Sequence, residues 1–234
     1  MSYCYGEERN AVYSRKTLLS TILLLAIISV AALIGTWIWT NSATDGTKTL
    51  NSVEIREYKG QKLGSIADFR ENSIKGPQNI DNNTYRLVVA GLVENETVYG
   101  YTDVIEGHAH YEKVVTINCV EGWSVTILWE GVLVKDLLQE AGYNSSATVV
   151  IFYAQDGYST SLPLSYIINN NILIAYKMNG LVLPPERGFP FQLVAESKYG
   201  YKWIKWITKI EVSNNSSYLG YWESRGFSNN ADLP

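Results

Sequence analysis

The sequence has 234 residues, a formal net charge of -4 and 12% aromatic residues. That aromatic content excludes wholesale disorder, and the length left after the first apolar run suffices for one large domain or two small ones with a real core. No run or stripe of Lys and Arg is present, which excludes a nucleic-acid footprint.

A charge-free stretch opens at Thr17. Its most apolar part, Thr17 to Trp39, is 23 residues long, about 34 Å as a helix and enough to cross a bilayer. Arg15 and Lys16 precede it, and Trp37 and Trp39 close it. The positive-inside rule then puts the N-terminus in the cytoplasm and everything after residue 40 outside. A cleaved signal peptide competes with this reading. The run is longer than a usual signal core, however, and no small-x-small site follows it, so an uncleaved single-pass anchor in the cell membrane is expected. Ser14-Arg15-Lys16-Thr17-Leu18-Leu19 resembles a twin-arginine export signal with Lys for the second Arg, although ordinary basic flanking residues read the same way. Asn82, Asn95, Asn144, Asn214 and Asn215 each open an N-glycosylation pattern on the expected outer side. The expected organisation is a cytoplasmic stub over 1–16, an anchor over 17–39, a polar linker over 40–62 and one catalytic domain over 63–234.

Within that domain, residues 64–83 have no clear period and read as irregular structure. Strands are expected at 85–93, 114–118 and 125–129, each β-branched and apolar. Residues 132–141 carry apolar side chains at helical spacing, and Gly142 closes that helix. Further strands are expected at 147–153, 172–176 and 191–195, with a long one over 203–212. The tail from Asn214 is expected to lie over the surface. Strands with few helices indicate an α+β, β-rich domain.

The two cysteines fall on opposite sides of the expected membrane span, so Cys4 and Cys119 cannot pair within one chain. Cys119 is then an unpaired thiol, and the chemistry alone leaves a buried inert side chain, a nucleophile, an intermolecular disulfide and a metal ligand all open. Gly107-His108-Ala109-His110 raises a copper or zinc site as an alternative, because His108 and His110 at i and i+2 on a strand would share a face, with Cys119 nine residues on.

Four collinear segments narrow the choice. Asn118-Cys119-Val120-Glu121-Gly122-Trp123-Ser124, with Trp129 and Gly131 beyond it, resembles the segment of sulfite oxidase-type molybdopterin-dependent oxidoreductases that presents the molybdenum-ligating cysteine. Its form is similar to the periplasmic methionine-sulfoxide reductase catalytic subunits. Asp156-Gly157-Tyr158-Ser159-Thr160 resembles the family loop beside the metal. Met178-Asn179-Gly180 with Pro184-Pro185-Glu186-Arg187-Gly188-Phe189-Pro190, and Lys198-Tyr199-Gly200-Tyr201-Lys202-Trp203-Ile204-Lys205-Trp206, resemble the stretches around the cofactor and its phosphate. The resemblance covers roughly residues 84–230. It implies a molybdenum–molybdopterin cofactor, Cys119 as the metal's thiolate ligand, and Tyr158 beside the reacting oxygen. It further implies Arg187, Lys202, Trp203, Ile204 and Lys205 against the pterin and its phosphate. The matching N-terminal contact falls on Asp68 to Gly76, with Arg70, Ser73 and Lys75 reaching the pterin.

A high-valent molybdenum takes a soft thiolate readily, and a phosphate wants cations and backbone N–H groups, so the residue types suit these roles. Two departures matter. Gln192 stands where family members usually carry Arg, and Val120-Glu121-Gly122 replaces the arginines that follow the ligand cysteine in animal sulfite oxidases. An oxyanion substrate wants guanidinium groups, so sulfite is disfavoured, and the resemblance to the methionine-sulfoxide reductase subunits implies S-oxide or N-oxide reduction. A small-molecule oxo-transfer substrate and a membrane redox partner, a cytochrome or quinol-linked subunit, are implied. The non-enzymatic alternative is an anchored binding module that keeps the fold without a working cofactor.

Overall fold

The computed structural model describes residues 54–234. The expected cytoplasmic stub, membrane span and first part of the linker lie outside the described residues. Among the described residues no helix is long and apolar enough to cross a membrane.

Two five-stranded sheets and one contiguous core form the domain. The first sheet is built on the hairpin of β5 (Tyr111–Asn118) and β6 (Ser124–Leu133), paired in register from Tyr111↔Gly131 to Asn118↔Ser124. β9 (Leu173–Met178) pairs with the far side of β6, and β10 (Leu181–Val182) and β11 (Gln192–Val194) pair with β9. β6 is therefore central, and its near-continuous apolar run suits burial on both faces. Gly131 makes the β6–β9 approach possible, since a Cβ there would meet the Ile174 carbonyl oxygen at 2.2 Å.

The second sheet runs β4 (Thr97–Tyr99), β3 (Leu87–Gly91), β12 (Ile207–Ser213), β7 (Val149–Ala154) and β8 (Ser159–Pro163). β3 and β12 are parallel, and the other neighbours are antiparallel. Three short helices complete the fold: α1 (Tyr101–Gly107), α2 (Val134–Glu140) and α3 (Leu164–Asn169). β-rich with few helices is the architecture expected, and α2 falls inside the expected helix.

Two local readings need correction. Residues 54–62 were expected to be linker, yet β1 (Glu57–Tyr58) and β2 (Gln61–Lys62) form a small hairpin there. Glu54 anchors it: the carboxylate accepts from Ser65 Oγ at 2.9 Å, Ile66 N at 2.6 Å and Asn179 Nδ2 at 2.8 Å. The long strand expected over 203–212 begins only at Ile207, because Trp206 sits at φ 53° and a residue in the left-handed region cannot continue a strand. The tail from Asn214 lies over the surface, as expected, with a few buried anchors. Glu223 is buried, and a Cβ on Gly220 would meet Ser159 O at 2.3 Å.

Candidate active site

Cys119 follows β5 directly and opens the turn into β6. Its backbone N–H donates to Trp123 O at 2.9 Å, and Gly122 N donates back to Cys119 O at 3.1 Å with Gly122 at φ 84°. The thiol is free and half-buried. Asn72 Nδ2 lies 3.9 Å from Cys119 Sγ and 3.1 Å from Glu121 Oε1, so one amide ties the 69–73 loop to the cysteine turn. On the other side Asn118 bridges to Tyr199, which sets the 198–206 stretch against the cysteine.

A cavity of about 330 Å³ opens beside this turn. Ser73, Cys119, Tyr158, Arg187, Trp203, Ile204 and Lys205 line it, so the structure brings these expected site residues together. Glu121, Asp156 and Gln192 also reach it. Arg70 does not line it; its backbone carbonyl accepts from Arg187 Nη1 at 3.4 Å. Lys75 does not line it either, and its ammonium lies near Gly157.

Lys202 differs most from its expected role. Its side chain is wholly buried, and Nζ donates to Glu223 Oε1 at 2.5 Å, Ser161 O at 3.0 Å and Asn229 Oδ1 at 3.0 Å. All three ammonium donors are occupied, which leaves none for a phosphate. The neighbouring turn explains the sequence-level misreading: a Lys-Trp-Ile-Lys run looks like two cations on one strand face, but the three-residue 3-10 turn Gly200–Lys202 sends Lys202 inward.

One wall of the cavity is cationic. Arg187 Nη2 donates to Phe69 O at 2.9 Å, and its guanidinium lies 5.1 Å from the Phe69 ring centroid. Burial lowers its pKa against the opposing pull of Glu186 and Glu71. Lys205 Nζ donates to Glu71 Oε1 at 2.8 Å and Glu186 O at 3.2 Å. Burial lowers the Lys205 ammonium as well, although Glu71 acts to raise it. Burial pushes the Glu71 carboxyl up, but the hydrogen bond and charge of Lys205 outweigh it and hold the group below its ordinary value. Gly188, at φ 96°, lets this wall close, because a Cβ there would press on Lys205 Cβ and Cγ at 3.0 Å. Trp206, held in its left-handed conformation, donates its indole N–H to Pro185 O at 2.7 Å and locks the 200–206 stretch onto the same turn.

The other wall is aromatic. Tyr158, Tyr201, Trp222 and Phe227 line it. Tyr158 OH donates to Tyr201 O at 2.6 Å, and burial, ahead of Glu223 and Asp156, raises its pKa strongly. This phenol is a neutral donor, not a base. Cys119, Val120, Tyr201 and Phe227 also border a second, open recess of about 460 Å³, and no Lys or Arg lines that recess. Trp222 and Phe227 carried no distinguishing signal in the sequence, where an Asn/Ser/Gly-rich tail with scattered aromatics reads as covering. Asn72 and Glu71 fell inside the expected contact segment, but polar residues in an irregular loop show no preference until the fold positions them.

The copper or zinc alternative fails on geometry. His108 Nδ1 and Nε2 contact Val104 O and Glu140 Oε2, while His110 contacts Ile105 O and Tyr176 OH. Both histidines precede β5 and Cys119 follows it, so the strand's length separates them. Among the described residues no group of three His, Cys, Asp or Glu is placed to hold a metal ion.

A mixed two-sheet α+β domain with a lone thiol over a part-cationic cavity defines a cofactor-dependent redox enzyme class. Residues 74–222 match the family described as oxidoreductase molybdopterin binding domain, and the chain belongs to that family. It is a molybdopterin-dependent oxidoreductase of the sulfite oxidase type, and its cofactor is the molybdenum cofactor. The chain is 35% identical over 148 residues to the uncharacterized oxidoreductase YuiH of Bacillus subtilis (63% of this chain, 74% of that protein). It is 33% identical over 149 residues to the putative protein-methionine-sulfoxide reductase subunit YedZ1 of Azospira oryzae (63% of this chain, 56% of that protein). Against human mitochondrial sulfite oxidase the identity is 30% over 196 residues, covering 70% of this chain but only 36% of the relative. The sulfane dehydrogenase SoxCD from Paracoccus pantotrophus shares the fold, with a TM-score of 0.57 and 22% identity over 60% of this chain and 41% of that one.

The residues present fit the cofactor. Ser73 Oγ is buried with no hydrogen-bond partner among the described residues, and it lines a cavity that also holds two cations and a free thiol. A hydroxyl buried without a partner at bonding distance costs folding free energy unless a ligand satisfies it, and a polar cofactor in this cavity would do so.

Proposed function

We propose that this protein is a membrane-anchored, extracytoplasmic oxidoreductase that reduces S-oxides or N-oxides by two-electron oxygen-atom transfer. The observation that carries the reading is the asymmetry around Cys119. Among the described residues the only cations lining the cavity are Arg187 and Lys205 on one wall, and the recess beyond Cys119 is lined by none. The cations suit the cofactor's phosphate. A neutral oxide suits a recess without guanidinium groups better than sulfite does.

For an S-oxide the balance is the S–O bond breaking, sulfur gaining two electrons, and two protons leaving with the oxygen as water. The electrons come from a redox partner of the cytochrome or quinol-linked class. The molybdenum cofactor supplies the oxo and two-electron chemistry when bound. In this reading Cys119 Sγ is the protein's ligand to the metal, and Asn72 and the Cys119–Trp123 turn fix the direction of that sulfur. Arg187, Lys205 and Ser73 hold the pterin and its phosphate, with Trp203 and Ile204 packing beside it. Tyr158, held neutral, borders the departing oxygen with its single O–H given to Tyr201 O, so that its phenol oxygen is left only as an acceptor.

The anchor over 17–39 and the outer location of the domain rest on the sequence pattern, and all five sequon asparagines in the domain are exposed, as glycosylation requires. The test is the full chain expressed in a host that makes molybdenum cofactor. About one molybdenum per chain is expected, with S-oxide reduction driven by a reduced viologen dye and lost in Cys119→Ser. Sulfite oxidation faster than S-oxide reduction would overturn the substrate assignment, and an unchanged molybdenum spectrum in Cys119→Ser would overturn the ligand assignment.

A further inference from the structure

The segment from Tyr218 to Asp232 is clamped from both ends of a short loop. Glu223 Oε1 accepts from Lys202 Nζ at 2.5 Å and from Thr160 Oγ1 at 2.6 Å, and both charged side chains are wholly buried. Asn229 Oδ1 binds the same ammonium at 3.0 Å. The two anchors bracket Phe227, and Trp222 immediately precedes the first. A buried ion pair is weak evidence of net stabilisation, because desolvation offsets most of the attraction. What it gives is a fixed geometry for the residues it holds.

Those residues are large apolar side chains left in water at the mouth of the cavity. Trp222 and Phe227 are 37% and 38% exposed, with ring centroids 5.2 Å apart. The rim extends from Phe227 to Tyr201 at 5.3 Å, whose hydroxyl donates to Ser228 O at 2.8 Å. In the other direction Trp222 meets Tyr221 at 5.3 Å, and Tyr221 meets Tyr158 at 5.6 Å. Exposed rings held rigidly around an opening do nothing for the core, while a bound apolar group would cover them. The matched family span ends at residue 222, so Phe227 and the clamp residues Glu223 and Asn229 lie beyond it.

We propose that Trp222 and Phe227 are the specificity-determining residues of this enzyme, selecting oxides that carry an aryl or extended apolar arm, and that Glu223 and Lys202 are the positioning residues that hold this rim. The assignment rests on the oxide-reductase reading for the reaction but not for the binding. The arm lies across the two rings, and the oxide end points past Tyr201 and Val120 toward Cys119, which with Val120, Tyr201 and Phe227 borders both the cavity and the open recess.

Sulfones test this without turnover, because they share the shape of S-oxides and can be followed by calorimetry on the full-length holoprotein. Wild type is expected to bind methyl phenyl sulfone about ten times more tightly than dimethyl sulfone, and Trp222→Ala or Phe227→Ala to reduce that ratio about fivefold. Glu223→Gln is expected to lower the same ratio with dimethyl sulfone affinity and molybdenum content unchanged, a selective loss that a purely structural role would not give. If Glu223→Gln does not fold, the two rim variants still decide the matter. Equal affinity for the two sulfones in wild type, or a ratio unmoved by both rim substitutions, would overturn the proposal. A preserved aryl preference in a protein that reduces no oxide would leave the rim standing and remove the proposed reaction. Oxide turnover without aryl preference would do the reverse.

Discussion

The two walls of the cavity are built on different principles. The cationic wall is shallowly charged and shared: Lys205 and Glu71 are 14% and 32% exposed at their side chains, and their pair sits where a phosphate would bind. The aromatic wall has its charges hidden behind it, with Lys202 and Glu223 at 0%. The first wall leaves its cations at the cavity, where the proposed function makes them ligands, and the second uses its cation as a fastener. The same residue type, Lys at 202 and at 205, thus serves opposite ends three positions apart because a 3-10 turn separates the two directions.

Replacing the proposed thiolate ligand breaks the comparison most severely, since both walls then face a site whose soft sulfur donor has become a hard oxygen. Cys119→Ser is expected to lower oxide-reducing activity by more than about 100-fold, with loss of the thiolate signature in the molybdenum spectrum. The two ion pairs give the next contrast. Glu223→Ala strands a buried ammonium and is expected to cost about 3–5 kcal/mol in denaturant unfolding, whereas Glu71→Ala is expected to cost no more than about 1 kcal/mol. Equal losses would mean the walls are not built differently. Lys205→Ala and Arg187→Ala sharpen the point from the other side, with about tenfold weaker retention of pterin through gel filtration and little change in unfolding.

The smallest expected effect is a pH dependence. The Glu71 carboxyl is held below its ordinary value chiefly by Lys205 acting against burial. A lowered carboxylate pKa adds stability above the ordinary value, and that increment disappears as pH falls through the folded value. The melting temperatures of wild type and Glu71→Gln are therefore expected to differ at neutral pH and converge in acid. A gap that widens as pH falls would contradict the pairing.

The legibility of these walls from the sequence follows the same division. Strand cores such as Val149–Ala154 and Leu173–Met178 are β-branched or apolar throughout, and their elements were readable within a few residues. Cys119, Arg187 and Lys205 were found through motif resemblance, which spacing alone would not have justified. α1 escaped because only Val104 of its 7 residues is buried, where α2, equally long, buries Val134, Leu137 and Leu138, and α3 escaped because 6 residues are too few to display a period. β8 was hidden inside a polar Ser-Thr-Ser run whose buried face binds Glu223 through Thr160. The aromatic wall escaped because its meaning depends on a buried partner more than twenty residues before it, a relation no local pattern carries.

The parallel pairing of β3 with β12 matches Val88 to Lys209 and Val89 to Ile210, so it closes more than a hundred residues of chain in one step. Hairpins such as β5–β6 form within microseconds, whereas non-local closures dominate the folding time of mixed sheets. The Gly200–Trp206 stretch reaches its dock on the 184–188 turn just before β12 begins. The cysteine hairpin is a local contact suited to early formation, whereas the cationic wall borders a long-range pairing, so a complete pocket able to capture the cofactor is expected late in folding.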